Sequence, residues 1–325
     1  MGAWEEIVDY TVPSNTTSVT LNNFGTITKD DFIKVVVNHN NTTSELRNLR
    51  LLANSSNNSD YHRQTLLASS AAVNAERSND NLLLGTGSND TSTTISYIKL
   101  SENDRFNIFS QNGFRDSSTL QVRFHYTTSS GATFTSGITS LTLEAATANA
   151  IGTNSRIQIY KLAAEKVADI TVESNTTQVD ISNLSIDKDS EYLLISDVLP
   201  RSGGLVLLGV NGNTTSSDYH RQRIRGDGSN TLADRQNRPE INIDDGTNRL
   251  LNYTHIKLSN IGAYTAQSYG IRRVGTITIL LQNYFISSTA ENITSITQLN
   301  ITSSNTSGIA TGSRFTLYKL YEGGN

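Results

Sequence analysis

One hexapeptide occurs twice in this chain, as Ser59-Asp60-Tyr61-His62-Arg63-Gln64 and as Ser217-Asp218-Tyr219-His220-Arg221-Gln222. Six mixed residues do not repeat by chance, so the chain is read as a tandem duplication with a spacing of 217 − 59 = 158 residues. A fold built this way must be one that half the chain can form.

Other segments return at similar spacing. Ser14-Asn15-Thr16-Thr17 returns as Ser174-Asn175-Thr176-Thr177, and the closing Ser155-Arg156-Ile157-Gln158-Ile159-Tyr160-Lys161-Leu162 as Ser313-Arg314-Phe315-Thr316-Leu317-Tyr318-Lys319-Leu320. The first pair is offset by 160 and the second by 158, a change that surface loops tolerate. Around these marks apolar residues alternate with polar ones. Val8, Tyr10 and Val12 share one side, as do Ala168, Ile170 and Val172. Period two predicts strands with one face buried. No window carries a 3.6-residue apolar period over three turns, and the best helical stretch, Ala71 to Asn81, is short and polar. The expectation is an all-β chain of two tandem homologous antiparallel β-sandwich domains, jelly-roll-like, with eight to ten strands each. The boundary is placed at Ala163–Ala164, giving domains 1–163 and 164–325. The thirty residues after each hexapeptide do not resemble each other and are expected on the outside, each with a short strand or helical turn, where recognition can differ between copies.

Composition narrows the function. Charged residues make up 17% of the 325, against about 25% in ordinary domains. The net charge is −4, which does not suit a general nucleic-acid binder. There are no cysteines, so disulfides, thiolate metal sites and a cysteine nucleophile are excluded. Met1-Gly2-Ala3-Trp4-Glu5-Glu6 lacks a basic end followed by an apolar run, so no secretory signal is expected there. No apolar stretch is long enough for membrane insertion as a helix. The Asn-Thr-Thr sequons at Asn15, Asn41, Asn175 and Asn213 follow from a chain rich in Asn and Thr.

No catalytic motif is present, no two of the five histidines have a metal-binding spacing, and no cofactor or metal is expected. The hexapeptide holds acid/base and anion-binding residue types. On a strand, however, Tyr61 and Arg63 face one way and His62 and Gln64 the other. The expected role is structural, with the Tyr ring buried and the Arg bonding a neighbour. Ligand binding is the competing role, carried by Tyr61, Arg63, Tyr219 and Arg221. Arg225-Gly226-Asp227 spells an adhesion tripeptide that functions at loop tips, which adds Arg225 and Asp227 to the candidates. Glu240 to Asp245 is acidic enough to offer oxygens to Ca²⁺, but its spacing fits no ligand loop and a solvated loop is expected. Trp4, Tyr61 and Tyr219 are candidate sugar-stacking rings.

Ile151-Gly152-Thr153-Asn154-Ser155-Arg156-Ile157 and Ile309-Ala310-Thr311-Gly312-Ser313-Arg314-Phe315, each running on to Tyr-Lys-Leu, resemble the C-terminal motif of tailed-bacteriophage virion structural proteins. Tyr61-His62-Arg63-Gln64 and Tyr219-His220-Arg221-Gln222 resemble the upstream Tyr-x-Arg-Gln strand of that group. The resemblance covers about a fifth of each copy. It implies a non-enzymatic protein on the particle surface, a tail or fibre component or a capsid decoration protein, assembled in the host cytoplasm with other virion proteins. Duplication suits a homotrimer, because three chains present six similar contacts to a sixfold lattice. The alternative expectation is an adhesin that binds a glycan of the host surface.

Overall fold

The computed structural model describes residues 3–43, 49–69, 72–78, 91–116, 119–188, 190–201, 205–213, 219–227, 230–237, 241–244, 248–259, 262–274, 278–288 and 293–321. Its strands in the N-terminal half are β1 (Trp4–Thr11), β2 (Ser18–Leu21), β3 (Ile33–Asn40), β4 (Leu49–Ala53), β5 (Tyr61–Ser69), β6 (Ala72–Ser78), β7 (Thr91–Leu100), β8 (Phe106–Asp116), β9 (Thr119–Ser129), β10 (Leu141–Ala145) and β11 (Arg156–Leu162). Those of the C-terminal half are β12 (Glu165–Thr171), β13 (Gln178–Ile181), β14 (Glu191–Val198), β15 (Val206–Val210), β16 (Tyr219–Asp227), β17 (Asn230–Asn237), β18 (Ile241–Asp244), β19 (Leu250–Leu258), β20 (Tyr264–Val274), β21 (Thr278–Ser288), β22 (Leu299–Ser303) and β23 (Arg314–Tyr321). Among the described residues the one helical turn is a 3-10 turn at Asn58–Asp60.

The protein is an all-β sandwich of antiparallel sheets. One eight-stranded sheet runs β1-β11-β3-β7-β8-β9-β5-β6, and a second repeats the same order as β12-β23-β14-β19-β20-β21-β16-β17. Two smaller sheets, β2-β10-β4 and β13-β22-β15-β18, each cover one large sheet. Alternate side chains explain the packing. Ile33, Val35 and Val37 of β3 point into a core with Leu141 and Leu143 of β10, and Leu194 of β14 joins Leu299 and Ile301 of β22 in the equivalent one.

The opposite faces of the two large sheets are also covered, by each other. Phe32, Leu66, Phe109, Tyr126 and Leu162 form one cluster with Leu193, Ile195, Leu251, Tyr253 and Tyr318. Strand β5 packs on β16 and β21, β6 on β17, and β8 and β9 on β20. Equivalent strands thus meet each other, as in the self-complementary contact of two like subunits. The layers run small, large, large, small. Strand β14 is buried at every position from Tyr192 to Val198, which is why Tyr192-Leu193-Leu194-Ile195 is an unbroken apolar run. Sheets covered on both faces read this way. The expectation of one buried face per strand fails for the large sheets for that reason.

The strand count is also higher than the eight to ten expected. After each hexapeptide the chain continues as strand and folds back as a hairpin, β5–β6 and β16–β17. The divergent stretches therefore begin as sheet, not as loop, and residues 79–90 lie outside the described residues. Residues 241–244 of the acidic stretch form β18, paired with β15. Their side chains, with Glu240 and Asp245, lie outside the described residues, and the solvated loop expected there is replaced by strand. Of Ala71–Asn81, the described residues 72–78 form β6 and not helix, and the rest of the range lies outside the described residues.

Asparagine supplies much of the turn chemistry. Among the described residues, five of the eight non-glycine residues at positive φ are Asn54, Asn149, Asn154, Asn183 and Asn211, the residue type that tolerates this conformation best after glycine. Asn15 Oδ1 accepts from Thr153 N at 2.9 Å, and Asn175 Oδ1 from Thr311 N at 3.0 Å. These sequon side chains serve as turn fasteners. The sheet edges also repeat. Strands β1 and β12 each carry a bulge, between Glu6 and Val8 and between Lys166 and Ala168.

A charged group closes one end of the seam between the large sheets. Arg314 of the C-terminal half reaches Asp30 at 2.6 Å and Glu102 at 3.2 Å in the N-terminal half, and Asp169 beside it at 2.7 Å. Asp197 accepts from Glu102 N at 2.6 Å and is also bound by Arg249. Burial holds the Asp197 carboxyl above the usual carboxylate range in spite of Arg249. Lys99, 7% exposed, lies in the same group. Burial, helped by the charge of Arg314, lowers its ammonium to about 8.

Two outcomes follow from this packing. Tyr219 is 1% exposed, so Tyr219→Ala is expected to destabilise the protein by about 3–5 kcal/mol in chemical denaturation. Lys99 has a folded value below its unfolded one, so the unfolded chain binds more protons in between. Stability is therefore expected to rise between about pH 8 and pH 10, and Lys99→Met to flatten that rise in melts across the range.

Candidate functional site

The hexapeptide residues occupy fixed structural places. Tyr61 is fully buried, with its ring edge-on to Phe106 at 6.0 Å. Its hydroxyl accepts from Ala53 N at 3.2 Å and is also bonded to Ser56. Tyr219 is buried in the equivalent core, and its hydroxyl donates to Asn213 O at 3.5 Å. Arg63 donates to Glu76 of β6 at 2.9 Å, and Arg221 lies 3.6 Å from Asp234 of β17. Glu76 and Asp234 are themselves 158 residues apart, so the two pairs are one interaction repeated. Each Tyr anchors the start of its strand in the core, and each Arg ties that strand to the edge hairpin. Neither ring offers a face to a solute.

The tripeptide Arg225-Gly226-Asp227 is the last part of strand β16, running up to the hairpin that joins it to β17. Asp227 pairs with Asn230 and Leu280, and Arg225 is half-buried. The side chain of Asp227 lies outside the described residues. Gly226 is buried against the other large sheet, and a Cβ there would sit 3.2 Å from Gln64 Nε2 and 3.3 Å from Leu66. The glycine leaves room for the side chains of Gln64 and Leu66 to pack against its backbone.

The concave features lie along the seam between the large sheets. One cavity of 550 Å³ is lined by Glu191, His220, Gln222, Arg235, Lys257 and Thr265, among others. A second, of 240 Å³, adjoins it through Glu191, His255 and Gln267, and its remaining walls are Phe32, Tyr97, Phe109, Gln111, Tyr253 and Tyr269. Neighbouring strands place these residues in rows. Glu191 pairs with Lys257 and Lys257 with Thr265, while His255 pairs with Gln267. His255 Nδ1 lies 3.2 Å from Glu191 Oε1. That hydrogen bond holds the Glu191 carboxyl below its ordinary value. Gln267 donates to the Tyr269 hydroxyl, whose pKa burial raises to about 12.

The facing wall is aromatic. Phe32 stacks on Tyr97 at 5.8 Å, and Tyr97 on Phe109 at 6.3 Å, with rings within 5° of parallel. Trp4 flanks Phe32 at 5.9 Å, under the Lys34 ammonium. Of the three rings read as candidates for sugar stacking, Trp4 is the one that belongs to this cluster, in which Trp4 and Tyr97 are half-buried and Phe32 and Phe109 are buried.

The strand registers show how the two walls are related. Ile33 pairs with Ile98 and Lys161, and Tyr192 with Ile256 and Lys319. Phe32 is therefore the counterpart of Glu191. Tyr97 likewise corresponds to His255, and Phe109 to Gln267, each 158 residues on. The aromatic row of one copy is the Glu-His-Gln row of the other. The sequence carried this difference openly in Tyr97-Ile98-Lys99-Leu100 and His255-Ile256-Lys257-Leu258. Its meaning needed the knowledge that the two rows face each other. Among the described residues no cluster of three His, Asp or Glu is placed to hold a metal ion.

No family model matches the chain, and no curated protein matches it. Among solved structures, domains LG4-5 of the mouse laminin alpha1 chain are 10% identical, over 98% of this chain and 94% of that one, with a TM-score of 0.21. Ail, the attachment invasion locus protein of Yersinia pestis, is 6% identical over 79% of this chain and 97% of its own, with a TM-score of 0.14. Likenesses of this size bear on neither fold nor function.

The seam position of the tripeptide has a direct check. Gly226→Val is expected to force Gln64 and Leu66 aside and cost about 1–3 kcal/mol by overpacking, read as a lower melting temperature. A solvent-exposed loop tip would accept the same change without loss.

Proposed function

We propose that this chain is a non-enzymatic structural protein of the surface of a tailed-bacteriophage particle, as a tail or fibre component or a capsid decoration protein. The observation that carries the reading is where the family-like motifs sit. Ser155 and Ser313 accept, through their hydroxyls, from Asn40 N and Leu199 N, each at 2.9 Å. The strands that follow, β11 and β23, join each edge strand to the rest of its large sheet. Ile157 and Ile159, and Phe315 and Leu317, fill the cores. Arg156 holds Asp9 of β1 as Arg314 holds Asp169 of β12. The motif shared with virion proteins is thus invested in architecture.

A duplicated, cysteine-free slab whose halves are fused by an apolar seam suits a part that assembles in a reducing cytoplasm and persists outside it. In a homotrimer such chains would present six similar halves to neighbouring virion proteins.

Density-banded particles examined by mass spectrometry and particle cryo-EM are expected to contain the chain at a surface position, and the isolated protein to run as a trimer in light scattering. Its absence from purified particles would overturn the proposal.

A further inference from the structure

The two walls of the 240 Å³ seam cavity are former equivalents that have become chemically opposite, and the larger cavity opens from the C-terminal wall alone. If the halves had kept identical faces, each contact across the seam would occur twice. Phe109 meets Tyr269 at 4.5 Å, and Phe32 meets Tyr253 at 5.0 Å. By the strand registers, the mirrored contacts are Gln267 with Gln111 and Glu191 with Ile95. The first pair of contacts is filled with aromatic carbon. The mirrored pair is polar and open, and Ile95 is left 36% exposed. The cavities lie where one half of a self-complementary seam has been vacated. Packing alone would favour the aromatic residues that the other copy retains. Places where a fold departs from its own local rule are where function is expected.

From this geometry we infer that the cleft is a saccharide-binding site with a preference for a carboxylated sugar. It goes beyond placement on a particle and does not depend on it. The chemistry is divided between the walls. The half-buried ring of Tyr97 matches the apolar face of a pyranose ring, as amphipathic rings do at wet sites, with buried Phe109 backing it. Opposite them, Glu191 accepts and Gln267 both donates and accepts, which suits neighbouring hydroxyls. The Glu191–His255 pair sets the carboxylate in place before a ligand arrives. Its side chains remain 41% and 31% exposed, so the site is open to solvent. The larger cavity continues from this point to exposed Lys257 and Arg235. Two cations beside one acidic side chain favour a ligand with its own carboxylate, bound by charge-assisted hydrogen bonds. Mostly hydrophobic walls with a few placed polar groups are the usual form of small-ligand sites.

The full chain is tested on a panel of hexuronic-acid-bearing, sialic-acid-bearing and neutral oligosaccharides, followed by calorimetry on the best carboxylated member and its neutral analogue. The carboxylated sugar is expected to bind at least about tenfold more tightly than the analogue. Lys257→Ala, on an exposed strand end, should abolish that preference while leaving the melting temperature unchanged. Gln267→Ala should weaken both ligands by about tenfold or more. Tyr97→Leu keeps the wall apolar but removes the ring, and should weaken both as well. No binding across the panel, or affinities unmoved by Gln267→Ala and Tyr97→Leu in folded protein, overturns the assignment. A glycan-negative protein on particles would leave the structural proposal standing, and a glycan-positive protein missing from particles would leave the cleft standing.

Discussion

The contact on which this structure depends is the burial of one large sheet against the other. Each large sheet already has a small sheet on its inner face. Without the shared cluster around Phe109, Tyr126, Leu251 and Tyr253, each half would expose a broad apolar face, which soluble single chains rarely tolerate. The Arg314 and Asp197 groups sit at one end of this seam. Ion pairs of this kind seldom supply large net stability once desolvation is counted. Their geometric role is to fix how the sheets meet, while the apolar cluster supplies the driving force.

That division of labour accounts for the duplicated hexapeptide. A residue pattern retained in both copies invites a catalytic reading, because Asp, Tyr, His and Arg are reactive types. In place, Tyr61 and Tyr219 act as core anchors, and Arg63 and Arg221 act as ties to the edge hairpins. What the copies share serves the fold. What distinguishes them, Phe32 against Glu191, Tyr97 against His255 and Phe109 against Gln267, gathers at one opening in the seam.

The strands, the repeat and the opposed faces of Tyr61 and His62 were legible in the sequence, because period-two alternation is a local property. The sheet-on-sheet seam was not, since it is a relation between residues far apart in the chain, 95 positions for Glu102 and Asp197 and 284 for Asp30 and Arg314. The unbroken run Tyr192–Ile195 was its one visible sign, and a buried strand core explains such a run equally well. The hairpins after Gln64 and Gln222 were legible only in part, as a short strand or helical turn in each, for another reason. Stretches such as Ala72–Ser78 are polar because they lie at a sheet edge, and edge strands resemble loops in composition. The candidate site depended on both features, so its residues could be named in the sequence but not assembled.

The paired bulges in β1 and β12 have a consequence for crowding. Both strands end a large sheet and expose backbone donors and acceptors along an open edge. A flat edge of that kind can recruit the edge of a neighbouring molecule and grow without limit. A bulge twists the strand and breaks the spacing of its hydrogen bonds, and acidic residues such as Glu5, Glu6, Glu165 and Asp169 lie along the same two strands. The duplication copied this guard along with the edge. At these two edges the joining of neighbouring copies strand to strand is therefore disfavoured.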